Sequence, residues 1–270
     1  MNTDPIMAVA VRAARRASSV LQDAARDLRR LPSHAKEQAG IALSADTDAE
    51  NGIIATLRAA FPAHAILGEE TGETLGTALP PNAAAYRWII DAVDGKANFI
   101  HGYPYYAVSI ALTHGPEITH AVVLDPVHDE LFMAIRGKGA LCNGAPIRVS
   151  TCAALETALI GTAFPNRTAP EMPAYLPVLN HLLPRCEGIR RAGSCALDLA
   201  YLAAGRHDGF WMMRVQPWEL AAGALIVREA GGRIGDFAGG AEFQRTNEVI
   251  AAAPGVFNPL REAIAAALHR

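Results

Sequence analysis

Residues Trp88 to Leu112 read WIIDAVDGKANFIHGYPYYAVSIAL. An apolar run, Trp88-Ile89-Ile90, ends in two carboxylates three residues apart, Asp91 and Asp94, and Gly95 follows at once. The pattern predicts a buried strand that delivers paired acids to a tight turn at its carboxyl end, where open α/β sheets place their ligands. Acids crowded at such a point repel each other unless a cation lies between them. Mg²⁺ suits the place, because it takes oxygen ligands and bridges carboxylates to a substrate phosphate. A bare DxxDG turn is more readily an acidic surface turn, so the weight falls on its surroundings.

Upstream, residues from about Ile6 to Leu31 show helical spacing of apolar positions, with Pro32 as the stop. His34 to Ser44 reads as a polar loop. Asp46 then reads as the N-cap of a helix running to about Phe61. Ala65-Ile66-Leu67 is a short strand that stops at Gly68-Glu69-Glu70, a second acidic strand terminus. Thr71 to Ala85 reads as a surface excursion.

Downstream, Ala107–Thr113, Ile118–Leu124 and Leu131–Ile135 alternate with turn residues, which predicts an antiparallel meander. Asn143-Gly144 signals a tight turn, with Ile147–Val149 as the returning strand. From about Ser150 strands and helices alternate: a strand at Ala158–Thr162, a helix at Met172–Leu183, a helix opened by Ala192-Gly193-Ser194 and running to about Ala204, and a strand at His207–Met213. The Gly193-Ser194 pair at a helix start is either an ordinary Ser cap or a set of backbone amides suited to an anion. Pro217-Trp218-Glu219 opens the next helix, where Glu219 sits in the first turn and the helix dipole favours a carboxylate. A strand at Val249–Ala252 and a helix from about Asn258 finish the chain.

Composition narrows the function. Hydrophobic residues make up 51% of 270, enough for a sizeable core, and a net charge of −3 gives no footprint for nucleic acid. Arginines interrupt every apolar run near the N-terminus, and no run approaches the roughly 18 residues of a membrane span. The four cysteines lack CxxC spacing and read as reduced thiols of a cytoplasmic protein. No HxH, HExxH or GxSxG pattern is present, which removes the common zinc and serine-hydrolase readings.

Three separated motifs resemble the inositol monophosphatase family, part of the Mg²⁺-dependent, lithium-sensitive phosphatases that include fructose-1,6-bisphosphatase. The family pattern is GEE, then WI(I/V)DPIDGTTNF, then WDxAAG. Here these stand as Gly68-Glu69-Glu70, WIIDAVDGKANF at 88–99 and Trp218-Glu219-Leu220-Ala221-Ala222-Gly223, with an RGKGAxxNG turn at Arg136–Gly144 and REAGG at 228–232. The resemblance implies a mixed α+β fold, a layered αβαβα sandwich, with an N-terminal α+β half at 1–149 and a C-terminal α/β half at 150–270. It implies that Glu69, Asp91 and the Val93 carbonyl hold one Mg²⁺, and that Asp91, Asp94 and Glu219 hold a second. The amides of Gly95 to Ala97 would receive the phosphate, Asp46 would position and deprotonate the attacking water, and Gly193, Ser194 and Cys195 would line the alcohol side. The implied protein is a cytoplasmic homodimer that hydrolyses a small phosphorylated alcohol, sugar or nucleotide by metal-assisted in-line displacement.

Several positions depart from the family pattern. Lys96 replaces a Thr or Ser. It would contact the substrate phosphate as a point charge, or pair with Asp91, Asp94 or Asp46 and empty a metal site, or point to solvent. Glu219 replaces an Asp, a mild change among oxygen ligands. Met212 stands where the inositol-hydrolysing members carry a Glu, and a thioether accepts hydroxyl hydrogen bonds poorly. Ala92 and Ala97 replace Pro and Thr. Lys96 motivates an alternative expectation, a catalytically impaired paralogue serving as a binding or regulatory module; some bacterial relatives are similar in doubling as partners of the transcription machinery.

Overall fold

The computed structural model describes residues 4–30, 35–76, 85–165, 169–240 and 243–268. The elements run α1 (Pro5–Arg30), α2 (Ala35–Ala60), β1 (Ala65–Gly68), β2 (Gly72–Thr74), β3 (Tyr86–Asp94), α3 (Lys96–His101), β4 (Ala107–His114), β5 (Glu117–Asp125), β6 (Glu130–Ile135), β7 (Ala140–Cys142), β8 (Ala145–Pro146), β9 (Leu159–Thr162), α4 (Met172–Leu182), β10 (Gly188–Arg190), α5 (Cys195–Ala203), β11 (Gly209–Met213), α6 (Pro217–Glu229), β12 (Arg233–Gly235), α7 (Phe243–Thr246), β13 (Glu248–Ala252) and α8 (Pro254–Leu268). Strands β1 to β8 form one sheet in the order β2-β1-β3-β4-β5-β6-β7-β8, and the rest form a second, β10-β9-β11-β13-β12.

Alternation along the strands produces the layers. Trp88 and Ile90 of β3 face α1 and α2, whose Ala13, Ala14, Ala17, Ala49 and Ile53 pack against them. Ile89 faces the other way, onto α5 and α6, and across those helices lie Phe210 and Val249 of the second sheet. Trp211 and Ile250 point out of the far face of that sheet onto α4 and α8. Both sheets are therefore covered on both faces, which explains why β3 reads as a continuous apolar run. The result is the five-layer αβαβα sandwich the motifs imply.

The antiparallel meander from β4 through β6 stands as expected, and β3 extends it by pairing antiparallel with β4. Asn143 and Gly144 both have positive φ (47° and 82°), the mark of a type I′ turn. The returning strand is β8, two residues earlier than Ile147–Val149, because the twist of so tight a turn fixes pairing at Cys142↔Ala145. The three-residue strands β10 and β12 are too short for periodicity to register. Helix α8 begins at Pro254, four residues before Asn258, since Pro at a first turn gives up an amide that has no helical partner there. Pro32 and residues 77–84 lie outside the described residues.

The expected loop at His34–Ser44 is wrong over its described part. Residues 35–44 are the first turns of α2, which places Asp46 inside the helix and not at its cap. Gly40 and Ser44 look like breakers locally. Ala42 and Ala45 nevertheless extend the stripe that packs on α1, and tertiary burial overrides weak local propensity.

Close helix packing depends on Gly223 in α6. A Cβ there would lie 2.6 Å from Leu199 Cβ and 2.6 Å from Leu199 Cδ1. Gly223→Ala gains about 1 kcal/mol of helix propensity but overpacks the α5–α6 contact, at about 1–3 kcal/mol. The net expectation is a lower melting temperature by calorimetry; an unchanged or higher one would show that the two helices move apart freely.

Candidate active site

Parallel pairing of β1 and β3, with Gly68 beside Ile90, carries Glu69 alongside Asp91. In a regular strand, residues three apart face opposite sides. Here β3 pairs Asp91 with Ser109 and Asp94 with Ala107, and the register shifts between them. Such a shift re-aims side chains. The backbone N–H of Val93 donates to Asp91 Oδ1 at 2.9 Å and holds the kink. Gly95 then adopts φ +101°, and a Cβ there would lie 3.1 Å from the Tyr105 carbonyl and 3.2 Å from the Gly193 carbonyl, so both sterics and φ demand glycine.

The site is assembled at the ends of β1 and β3, where the first turns of α3, α5 and α6 meet. Ser194 Oγ and the Ala196 N–H both donate to Asp94 Oδ2, each at 2.6 Å. The Ala196 amide at the start of α5, with the Ser194 hydroxyl, therefore holds a carboxyl group, and it is the chain's own Asp94. Ser194 also caps α5, accepting from the Leu197 N–H at 3.3 Å. Glu219 Oε2 accepts from the Gln216 N–H at 2.7 Å and caps α6, as its first-turn place suggests.

Charge crowds these carboxyls. Asp91 is fully buried, and burial first, then the charges of Asp94, Glu69, Glu219 and Asp46, push its pKa well up. Asp94 is raised to about 6 by burial, against the Ser194 and Ala196 donors. Glu219 is raised to about 8 by burial and by Asp94, against the Gln216 N–H. Asp46 is raised to about 6 by burial, opposed by Lys96. Among the described residues no three His, Cys, Asp or Glu side chains converge closely enough, as placed, to hold a metal ion. The donor chemistry nonetheless fits a hard divalent cation: the groups are anionic oxygens, they are buried, and they repel one another.

Lys96 points inward, not to solvent. Its Nζ lies 3.0 Å from Asp46 Oδ2, an ion-pair distance without an aligned hydrogen bond, and 3.0 Å from Glu69 Oε1. It also donates to Glu70 Oε1. Neither Asp91 nor Asp94 is its partner. Burial lowers the Lys96 pKa, but its ion pairs with Glu70, Asp46 and Glu69 outweigh that and raise it. A cation at the first position of α3 opposes the helix dipole, at about 0.3–1 kcal/mol, and the three carboxylates offset that.

Of the other residues singled out by sequence, Ala97 is exposed at the start of α3 and Val93 is buried. Gly193 has φ +102°. Asn98 Nδ2 donates to the carbonyls of Tyr105 and Ala192, at 2.6 Å and 2.8 Å, and so ties α3 to the Gly193 segment. The side chains of Ser194 and Cys195 are buried, with the Ser194 hydroxyl committed to Asp94 and the Cys195 thiol raised by burial. They do not line an open alcohol side. Met212 and Glu219 share a cavity of about 400 Å³ with Phe164, Arg214 and Gln216.

Three supporting residues escaped the sequence reading. Glu50, fully buried in α2, accepts from the N–H groups of Glu70 and Thr71 and shapes the turn that presents Glu69. Tyr105 donates to Asp198 Oδ1 at 2.6 Å beneath Asp94, and Asp198 Oδ2 has no hydrogen-bond partner. Position within α2 or α5 was the only local signal, and it does not separate these acids from surface acids.

Five alternating layers, with an acidic turn at the sheet's carboxyl edge, define a phosphatase-like fold. The chain belongs to the inositol monophosphatase family, whose profile matches residues 2–270. It is 45% identical over 249 residues to the Nus factor SuhB of Pseudomonas aeruginosa, spanning 92% of this chain and 91% of that protein. The crystal structure of the extragenic suppressor protein suhB from Bartonella henselae superposes with a TM-score of 0.86 at 38% identity, over 97% of this chain and 100% of that one. An inositol monophosphatase from Anabaena (Nostoc) sp. PCC 7120 superposes with a TM-score of 0.83 at 32% identity, over 98% and 97%.

Proposed function

We propose that the protein is a Mg²⁺-dependent phosphomonoesterase acting on a small phosphorylated alcohol, sugar or nucleotide. The observation that carries this is the gathering of Asp46, Glu69, Asp91, Asp94 and Glu219 around the Gly95 turn, from four separate stretches of chain. Asp91, Asp94 and Glu219 are the groups that would hold the metal, with the Glu69 carboxylate and the Val93 carbonyl as further oxygens beside them. When bound, Mg²⁺ makes a nucleophile from water near neutral pH and stabilises the departing alkoxide.

The chain's own groups supply the rest. Asp46, with its pKa at about 6, suits acceptance of a proton from the attacking water near neutral pH. Lys96 keeps that carboxylate oriented. The amides of Gly95, Lys96 and Ala97, at the opening of α3, face the phosphate. Ser194 and Ala196 fix Asp94, so it cannot swing away as charge develops. The cavity of about 400 Å³ beside Glu219 has the size of a small-ligand site. Met212 in its wall offers polyol hydroxyls a poor acceptor, which argues against inositol phosphate as the favoured substrate.

The test is phosphate release from sugar, polyol and nucleoside monophosphates. Magnesium is expected to give a rate at least ~100-fold above chelator, with inhibition by lithium; no release from any ester would defeat the proposal. Family membership supports a cytoplasmic homodimer, which light scattering checks. The name of the Pseudomonas relative supports a second role in transcription for this chain. Retention of purified RNA polymerase on the immobilised protein would support it, and absence of retention would count against it.

A further inference from the structure

The acids of the site fall into two groups. The outer group is Asp46 from α2 with Glu69 and Glu70 from the turn after β1, and the Lys96 ammonium lies among all three. Lysine has three donors and no acceptor, so each N–H can face one carboxylate. The inner group is Asp91, Asp94 and Glu219. Among the described residues no ammonium, guanidinium or imidazole pairs with them; their donors are the Val93, Ala196 and Gln216 amides and the Ser194 hydroxyl.

We infer that Lys96 is a built-in cation for the outer carboxylates, so that the site takes one divalent ion, on Asp91, Asp94 and Glu219, and excludes a second at Glu69. This rests on the metal-dependent reading above. A Mg²⁺ on the Glu69 oxygen, at its usual ~2.1 Å, would sit within a few ångströms of the ammonium already bound there. Like charges so close repel strongly at partly buried positions. Admitting that ion would require Lys96 to leave three partners at once. The Lys96 side chain is 34% exposed and the Asp46 side chain 2%, so departure would also strand a buried carboxylate. Lys96 is thus a positioning residue for Asp46 and sets the metal count.

Mg²⁺ binding to the full chain, without substrate, is measured by titration calorimetry and equilibrium dialysis. Wild type is expected to bind one ion per chain, and Lys96→Thr and Lys96→Met two. Lys96→Arg, which keeps the charge, is expected to bind one. Melting curves confirm that each variant is folded, and Lys96→Met keeps the apolar stem in case Thr does not. Two ions in the wild type would overturn the inference, as would one ion in all four proteins, and the phosphatase reading would survive both results. No ion in any of the four would remove the metal-dependent reading and this inference with it.

Discussion

Asp91→Asn is expected to lower kcat/KM for phosphate release by at least ~10³-fold while raising the melting temperature in chelator. Loss of a residue that merely supports a metal ligand costs about 10–100-fold, and removing the charge of a ligand, the role proposed for Asp91, costs more. The stability effect runs the other way because of burial. Asp91 lies among Asp94, Glu69, Glu219 and Asp46, and every one of those charges raises its pKa. The native apo chain must hold either a buried charge or a proton that the unfolded chain would release. Asparagine removes that cost. It also keeps an oxygen for the Val93 N–H, so the kink in β3 survives. Each ~1 kcal/mol relieved moves the midpoint up by roughly 2–4 °C. Opposite signs for activity and stability mark a group placed for function at the expense of the fold. A variant that loses both would show Asp91 to be a structural acid.

The second large effect is a fall in apo stability as pH rises from 6.5 to 8.5. Asp198 and Glu219 both have native pKa values of about 8. For Asp198 the cause is burial first, then Asp94, against the Tyr105 hydrogen bond. The unfolded chain releases both protons near pH 4–4.5. Between there and pH 8 the native state binds more protons than the unfolded state, so stability declines with rising pH. Burial holds His207 at about 4, and this works in the opposite sense, but only below about pH 6.5. Starting at 6.5 isolates the carboxyls. Two protons at ~1.4 kcal/mol per pH unit, over the ~1.5 units below 8, give a loss of about 4 kcal/mol, or on the order of 10 °C. Calorimetry in chelator checks it. Asp198→Asn should remove about half of the slope, and added Mg²⁺ should recover more stability at pH 8.5 than at 6.5, because metal and proton compete for the inner carboxyls. A flat or rising profile in chelator would refute the buried protons.

Much of this site was legible because its parts are announced locally. A run such as Trp88-Ile89-Ile90 can only be buried, and the acids that end it must then lie at a sheet edge. Ser194 and Glu219 sit at helix starts by the ordinary logic of caps, and both do cap their helices. That same logic failed for Asp46, because Gly40 and Ser44 resemble a loop until α1 is there to pack against. Glu50 and Asp198 were invisible for a related reason. Nothing in a lone acid on a helix shows whether it faces water or a turn twenty residues away.

The sequence by itself determined the strand-borne acids, the meander, the alternating second half and the family, since periodicity, caps and turn residues act over a few neighbours. Only the tertiary structure decided that α2 extends back to Ala35, that Ser194 spends its hydroxyl on Asp94, and that Lys96 meets Asp46, Glu69 and Glu70 and not Asp91 or Asp94. Those choices join residues 26 to 100 positions apart, and they follow from the parallel pairing of β1 with β3 and from helices meeting at one edge. An ion pair depends on distance in space, and separation along a chain does not set that distance.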